Sequence, residues 1–292
     1  MVIGLETSPS TGVPQSGVPP PTVRRTAAIR SWRAFVVALI VPAVLLTLWS
    51  LVSVYGLLPP GVVPSPWAVL RAGYDFIMPT DVQPLPGVVT YRGAVLTHGV
   101  ATATRVAAGY SLAVLLGVPL GILLGASRWA AALLDPVFQA LRPIPSLAWL
   151  PLALAWFGLG ASSTIFLVFL GALFPILVAA SDAVRRVPRA YCETALMLGA
   201  PPRTLAWRVY LPAALPGIIT GLRLGVSLAW MVVMVGELTG VTRGIGAMMT
   251  AARESGRLDV VIIGMVMLGV CGALSDWVLR RVSRPATRWA ER

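Results

Sequence analysis

Charged and apolar positions are strongly segregated along this chain. An uncharged run fills 34–54. As a helix rising about 1.5 Å per residue, it can cross a hydrocarbon core about 30 Å thick. A signal peptide's apolar region is only about 7–15 residues, so this run reads as a retained span. A second span is expected at 97–125. From Pro143 to Ser181 no residue is charged. As one helix that stretch would measure roughly 58 Å, about twice the core thickness. It must fold back, and Gly158-Leu159-Gly160 is the natural place. This predicts spans at 134–157 and 162–184. Two more are expected at 212–238 and 259–279, giving six. The segment 55–96, with Pro59, Pro60, Pro64, Pro66, Pro79, Pro84 and Pro86, reads as an external loop carrying one short interfacial helix at 67–77. Residues 185–209 are too charged to span, and 239–258 reads as a loop.

Two local patterns refine this outline. Gly117, Gly121 and Gly125 recur every fourth residue, so they share a helix face and predict a seam where another helix backbone comes close. Pro143, Pro145 and Pro151 crowd the third span. They predict a kinked helix whose freed carbonyls face protein or a wet cavity rather than lipid. The proline-rich stretch 1–30 reads as a disordered cytoplasmic tail. The expected organisation is this tail, a transmembrane domain over 31–284, and a cytoplasmic tail over 285–292.

Composition agrees. Of 292 residues, 57% are hydrophobic and 12% charged, against about 25% charged in soluble domains. The expected class is an all-α integral membrane protein. The net charge is +12, and every basic residue is arginine. The arginines sit at the edges of apolar runs, so they report topology rather than nucleic-acid binding. Fifteen fall in segments that are cytoplasmic if both termini are inside, five in external segments, and Arg105, Arg142 and Arg223 within spans. Both termini are therefore expected in the cytoplasm.

Catalytic chemistry finds little support. Without lysine there is no P-loop, whose lysine reaches the nucleotide phosphates. No zincin motif, hydrolase elbow with a histidine partner or catalytic carboxylate pair is present. Cys192, Cys271 and His98 have no metal-ligand or disulfide spacing. If ATP drives the function, another subunit hydrolyses it.

The segment between the fourth and fifth spans is the most informative. It reads Tyr191-Cys192-Glu193-Thr194-Ala195-Leu196-Met197-Leu198-Gly199-Ala200, and later Val209-Tyr210-Leu211-Pro212. Glu193–Leu198 permits a short helix that Gly199 can end in the left-handed conformation. Pro201-Pro202 can start a second short helix, and Leu211-Pro212 redirects the chain into the membrane. A helical knob held between two spans can transmit a partner's rigid-body motion.

This segment resembles the E-A-A-x3-G-x9-I-x-L-P signature of ABC importer permeases. Glu193, Ala195, Gly199, Leu211 and Pro212 match; Thr194 and Val209 depart mildly. Leu141-Arg142-Pro143-Ile144-Pro145, Leu150-Pro151, Trp156-Phe157-Gly158-Leu159-Gly160, Thr220-Gly221-Leu222-Arg223 and Gly236-Glu237 resemble the nitrate, sulfonate, taurine and bicarbonate permeases in particular. His98, Arg105 and Gly109 also fit. The resemblance covers about 60–285. It implies the type I importer fold, with six transmembrane helices and a cytoplasmic coupling helix at 190–212. Glu193, Thr194, Ala195, Gly199, Ala200, Leu211 and Pro212 would be the ATPase-coupling residues. The implied partners are two cytoplasmic ABC ATPase subunits, a second copy of the permease, an extracytoplasmic solute-binding protein and membrane lipid. No cofactor is expected in this chain, ATP and Mg being held by the ATPase. The implied cargo is a small anion such as nitrate, an alkanesulfonate or taurine. A pyrimidine precursor, flavin or aromatic acid is the alternative within the family. An ion-gradient-driven secondary anion transporter is the alternative outside it, but neither an inverted repeat nor a centrally buried acid is evident.

Arg142 and Arg223 each fall about ten residues into a span, close to the midplane at about 1.5 Å per residue. A charge there costs at least about 2.5–3.5 kcal/mol. Two readings stay open: an electropositive anion pathway including Arg142, Pro143, Pro145, Trp149, Arg223 and Glu237, or arginines held by helix-to-helix ion pairs and free carbonyls. Glu237 is a partner available to either arginine. Asp276 and Arg280, four apart, are expected to pair. Trp149, Trp156 and Trp230 can line a cavity, anchor at an interface or pack.

Overall fold

The computed structural model describes residues 27–55, 63–78, 93–201 and 204–287. Most of the N-terminal tail, the loop parts 56–62 and 79–92, Pro202, Arg203 and the end 288–292 lie outside the described residues. All described elements are helical. In order they are α1 (Ala27–Val54), α2 (Pro66–Ile77), α3 (Ala94–Ala126), α4 (Arg128–Leu141) and a 3-10 turn (Ser146–Trp149) entering α5 (Leu150–Phe157). Then come α6 (Ala161–Arg185), α7 (Arg189–Met197), a π-wound segment (Leu205–Tyr210) entering α8 (Leu211–Glu237), α9 (Ile245–Glu254) and α10 (Leu258–Thr287).

Among the described residues, four helices are long and apolar enough to cross a membrane: Ala94–Ala126, Ala161–Arg185, Arg208–Glu237 and Leu258–Ala286. They match the second, fourth, fifth and sixth expected spans. The first expected span falls within α1, and the apolar part of it that the described residues cover is Leu39–Val54. The third is not the kinked helix expected at 134–157: α4 and Ser146–Phe157 meet at 86°. Pro143 and Pro145 remove two backbone donors one residue apart and push the residues before them toward extended conformations. The helix therefore breaks instead of bending. Pro151 is accommodated because it sits in the first turn of α5, where its missing N–H costs no helix bond. The fold-back at 158–160 is as expected, with Gly158 and Gly160 at φ +72° and +139°.

Two further expectations change. The loop at 239–258 contains α9, whose Ile245, Met248, Met249 and Ala252 form a buried stripe at helical spacing. Arg243, Arg253, Glu254 and Arg257 dominated the polarity pattern there and masked that stripe. The second short helix after Pro201 is not separate. The π-wound segment runs straight into α8, with Pro212 tolerated in the first turn of α8.

The packing centres on α6, gripped between α3 and α8. Lipid is as apolar as these side chains, so close packing rather than water exclusion holds the helices. A Cβ on Gly121 would stand 2.6 Å from the Ala180 Cβ, and one on Gly125 2.6 Å from the Val184 Cβ. Gly117 lies against Ile176, so the predicted seam is present. The opposite side of α6 is matched by α8, where Gly217 and Gly221 would place a Cβ 2.5 and 2.4 Å from the Ala183 and Ala179 Cβ atoms. Val106, Val168, Ala172, Ile176, Val226 and Val233 fill this core. A second cluster joins Phe76 of α2 to the buried stripe of α9 and Val260 of α10.

Candidate functional site

The motif segment forms a projecting helical turn. α7 begins after Pro188, and Thr194 Oγ1 donates back to the Ala190 carbonyl at 2.8 Å. Its end is a Schellman cap. The Ala200 N–H donates to the Ala195 carbonyl at 3.0 Å and the Gly199 N–H to the Leu196 carbonyl at 2.9 Å. This accounts for the interval between Ala195 and Gly199, because the cap fixes the offset between the last helical carbonyls and the left-handed residue. Gly199 has φ +76° and open space where a Cβ would stand. Conformation, rather than crowding, demands glycine here.

Glu193 and Thr194 are exposed, and so are Tyr191 and Leu196. Met197 and Leu198 are 87% and 83% exposed. Charge alone does not dominate this tip; it is an uncovered apolar surface. Its stems are anchored. Val187, just before α7, shares a cluster with Val184 of α6 and Ala214 and Ile218 of α8, and Tyr210 and Leu211 pack against it.

The second region is the break after α4. Arg142 caps α4 and borders two cavities, of about 490 Å³ and 240 Å³. Pro145 and Trp149 line the larger one. Pro143 is exposed at the break. Of the expected pathway residues, the structure thus brings together Arg142, Pro145 and Trp149. Trp156 instead meets Phe157 and Phe166 edge-on, and Trp230 donates its indole N–H to Ser275 Oγ at 3.0 Å.

Arg223 and Glu237 lie elsewhere, with different partners from those expected. Arg223 Nε meets Asp276 Oδ1 at 2.7 Å, and Asp276 also takes Arg280 at 2.5 Å, as its i,i+4 spacing predicts. Glu237 pairs with neither Arg142 nor Arg223. It is 1% exposed and receives Arg105 Nη1 at 2.6 Å, Thr102 Oγ1 at 2.8 Å and the Gly246 N–H at 2.8 Å. Thr102 Oγ1 in turn accepts the Ile245 N–H at 2.8 Å, and His98 Nδ1 lies 2.9 Å from the Gly244 carbonyl oxygen. Gly244, at φ +153°, would drive a Cβ to 2.5 Å from the Glu237 carboxylate. The network therefore fastens the start of α9 to α3 and α8. Its sequence signal was available: His98, Thr102 and Arg105 sit at i, i+4 and i+7, one face of a helix.

Long apolar helices, a proline-broken span and a projecting capped turn between two spans define a multi-pass membrane protein of the transport-subunit class. Residues 117–288 match the binding-protein-dependent transport system inner membrane component family, and the chain belongs to that family. It is 36% identical over 248 residues to the taurine transport system permease protein TauC of Escherichia coli, covering 85% of this chain and 87% of that protein. It is 38% identical over 176 residues to the nitrate import permease protein NrtB of a Synechocystis species, covering 60% and 64%. The fold is that of type I ABC permeases. A chain of the inward-facing MetNI methionine ABC transporter superposes with TM-score 0.57 at 22% identity, covering 65% of this chain and 94% of that one.

Proposed function

We propose that this chain forms the translocation path of a binding-protein-dependent importer for a small solute with an anionic head group, of the nitrate, alkanesulfonate or taurine type. ATP hydrolysis in a separate pair of cytoplasmic ATPase subunits drives it, and those subunits hold the ATP and Mg; this chain needs no cofactor. A second copy completes the path, and an extracytoplasmic binding protein delivers the solute. Both termini face the cytoplasm.

The observation that carries this reading is the α7 tip. Large apolar side chains stand in the open on a turn whose stems are packed into the bundle. Such a surface is suited to a partner groove. Its rigid stems let a push on the tip move α6 and α8 together. Glu193 and Gly199 are the coupling residues, the first as an exposed charge on the docking face and the second as the cap that sets the tip's shape. ATP binding favours one of two bundle states by binding them unequally.

The reading is tested by measuring uptake and ATPase retention together. Replacing Glu193 with Arg, or Gly199 with Val, is expected to release the ATPase subunits during purification and to abolish uptake. Uptake that persists under ATP depletion while an ion gradient remains would contradict it.

A further inference from the structure

Helix α10 ends in a patch of unbalanced charge. Of the four long apolar helices among the described residues, it is the least covered by the rest of the chain. One side packs on the core through Leu268, Cys271 and Leu279. The other carries Val266, Val270, Leu274 and Trp277, each between 55% and 60% exposed. Their intervals of three and four set them in one line along the helix. Arg281 and Arg284, both exposed, continue that line four and seven residues beyond Trp277.

The length of α10 sets the depth of this end. The helix runs over 30 residues, Leu258–Thr287, or about 45 Å at 1.5 Å per residue. Residues 260–275 are uncharged, and a hydrocarbon core of about 30 Å that starts at Val260 ends near Leu279. The last turns therefore stand in the head-group layer, with Trp277 at the boundary an indole prefers. There the charges do not balance. Asp276 receives Arg223 Nε at 2.7 Å and Arg280 Nη2 at 2.5 Å, so two guanidiniums share one carboxylate before Arg281 and Arg284 are counted. The sequence beyond adds Arg288 and Arg292 against Glu291. A basic cluster just outside a span attracts anionic lipid, and guanidinium N–H pairs match phosphate oxygens.

We infer that this end of α10 is a binding site for an anionic phospholipid, one whose phosphate has no ammonium in the same head group. Arg281 and Arg284 hold the phosphate, Trp277 packs at the glycerol level, and the apolar line from Leu274 back to Val266 receives an acyl chain. A zwitterionic lipid makes the same chain contacts but brings its own cation to a cationic patch. The inference is independent of the solute and of the ATPase. It rests only on α10 crossing the membrane.

The test is native mass spectrometry of the full-length protein in detergent, with equal amounts of phosphatidylglycerol and phosphatidylcholine of identical acyl chains. The wild-type protein is expected to retain phosphatidylglycerol at least about fivefold more often, the scale of one arginine at an anionic surface. The double variant Arg281→Gln/Arg284→Gln should bring that ratio near one, and Arg281→Lys/Arg284→Lys should keep most of it. Arg253→Gln, at an exposed arginine of α9, should leave it unchanged. Melting curves confirm that each variant is folded. A ratio near one in the wild-type protein, a preference that survives Arg281→Gln/Arg284→Gln, or an equal loss in Arg253→Gln overturns the inference. Displacement of the lipid by glycerol 3-phosphate also overturns it, because the site would then be one for a soluble phosphate ester.

Discussion

Two polar regions of this bundle contrast sharply. Around Glu237 every charge is answered: Arg105, Thr102 and the Gly246 N–H converge on a carboxylate that is 1% exposed. Around Arg142, a guanidinium and the Asp182 carboxylate stand on cavity walls with no ion-pair partner among the described residues. Both regions contain arginine in an apolar stretch of sequence, and the cost of placing such a charge is similar at the outset. The structure meets that cost in one place with internal partners. In the other, the arginine is exposed at a break between helices. An arginine that is fully neutralised serves architecture. One left open is free to serve a ligand.

The strongest way to break this comparison is to remove Glu237. Glu237→Ala leaves a buried guanidinium without its partner, which should destabilise the bundle by about 3–5 kcal/mol. Thermal melting of the purified protein should drop by many degrees, and α9 should lose protection from proteolysis. If the melt is unchanged, the network is not a structural lock. Overpacking the seam comes next: Gly221→Ile forces a branched side chain where even a Cβ would sit 2.4 Å from the Ala179 Cβ, at a cost of about 1–3 kcal/mol. Gly199→Val should cost only about 1–2 kcal/mol, the left-handed penalty, because nothing crowds the site. Its effect should be on uptake, and Gly199→Asn should recover part of it.

Arg142→Gln should have the smallest effect on stability, within about 0.5 kcal/mol as for an exposed, unpaired surface residue, while uptake falls severely. Measuring melting and uptake on the Glu237 and Arg142 variants side by side sharpens the contrast. A large melting shift for Arg142→Gln would place it with Glu237 as architecture.

The long spans were legible because apolar runs of this length have few alternatives in water or lipid. The Gly117, Gly121 and Gly125 seam was legible for a similar reason: helical periodicity places them on one face. The right-angle break was only partly legible. Three prolines announce a disturbance, but whether a helix bends or breaks depends on what packs against the freed carbonyls. Helix α9 was hidden because it is only ten residues long and is flanked by Arg243 on one side and Arg253, Glu254 and Arg257 on the other, and short amphipathic helices gain stability mainly from tertiary contact. The ion-pair partners were least legible. Arg105 and Glu237 are separated by 132 positions, and no local spacing rule links them. Nor does any pattern mark Ser181 and Asp182 as cavity residues. They become visible only when the end of α6 is seen beside Arg142. In the motif segment, by contrast, the interval from Ala195 to Gly199 is itself a local hydrogen-bond pattern, so sequence spacing carried over directly into shape.

The central claim is that the α7 tip docks on a cytoplasmic nucleotide-hydrolysing partner. A photo-reactive amino acid at Met197, the most exposed large apolar residue of the tip, tests it most directly in living cells. The account predicts that illumination joins this position to an ATPase subunit, and that Gly199→Val weakens the adduct. An adduct formed only with an extracytoplasmic protein, or none with any nucleotide-hydrolysing protein, would contradict it.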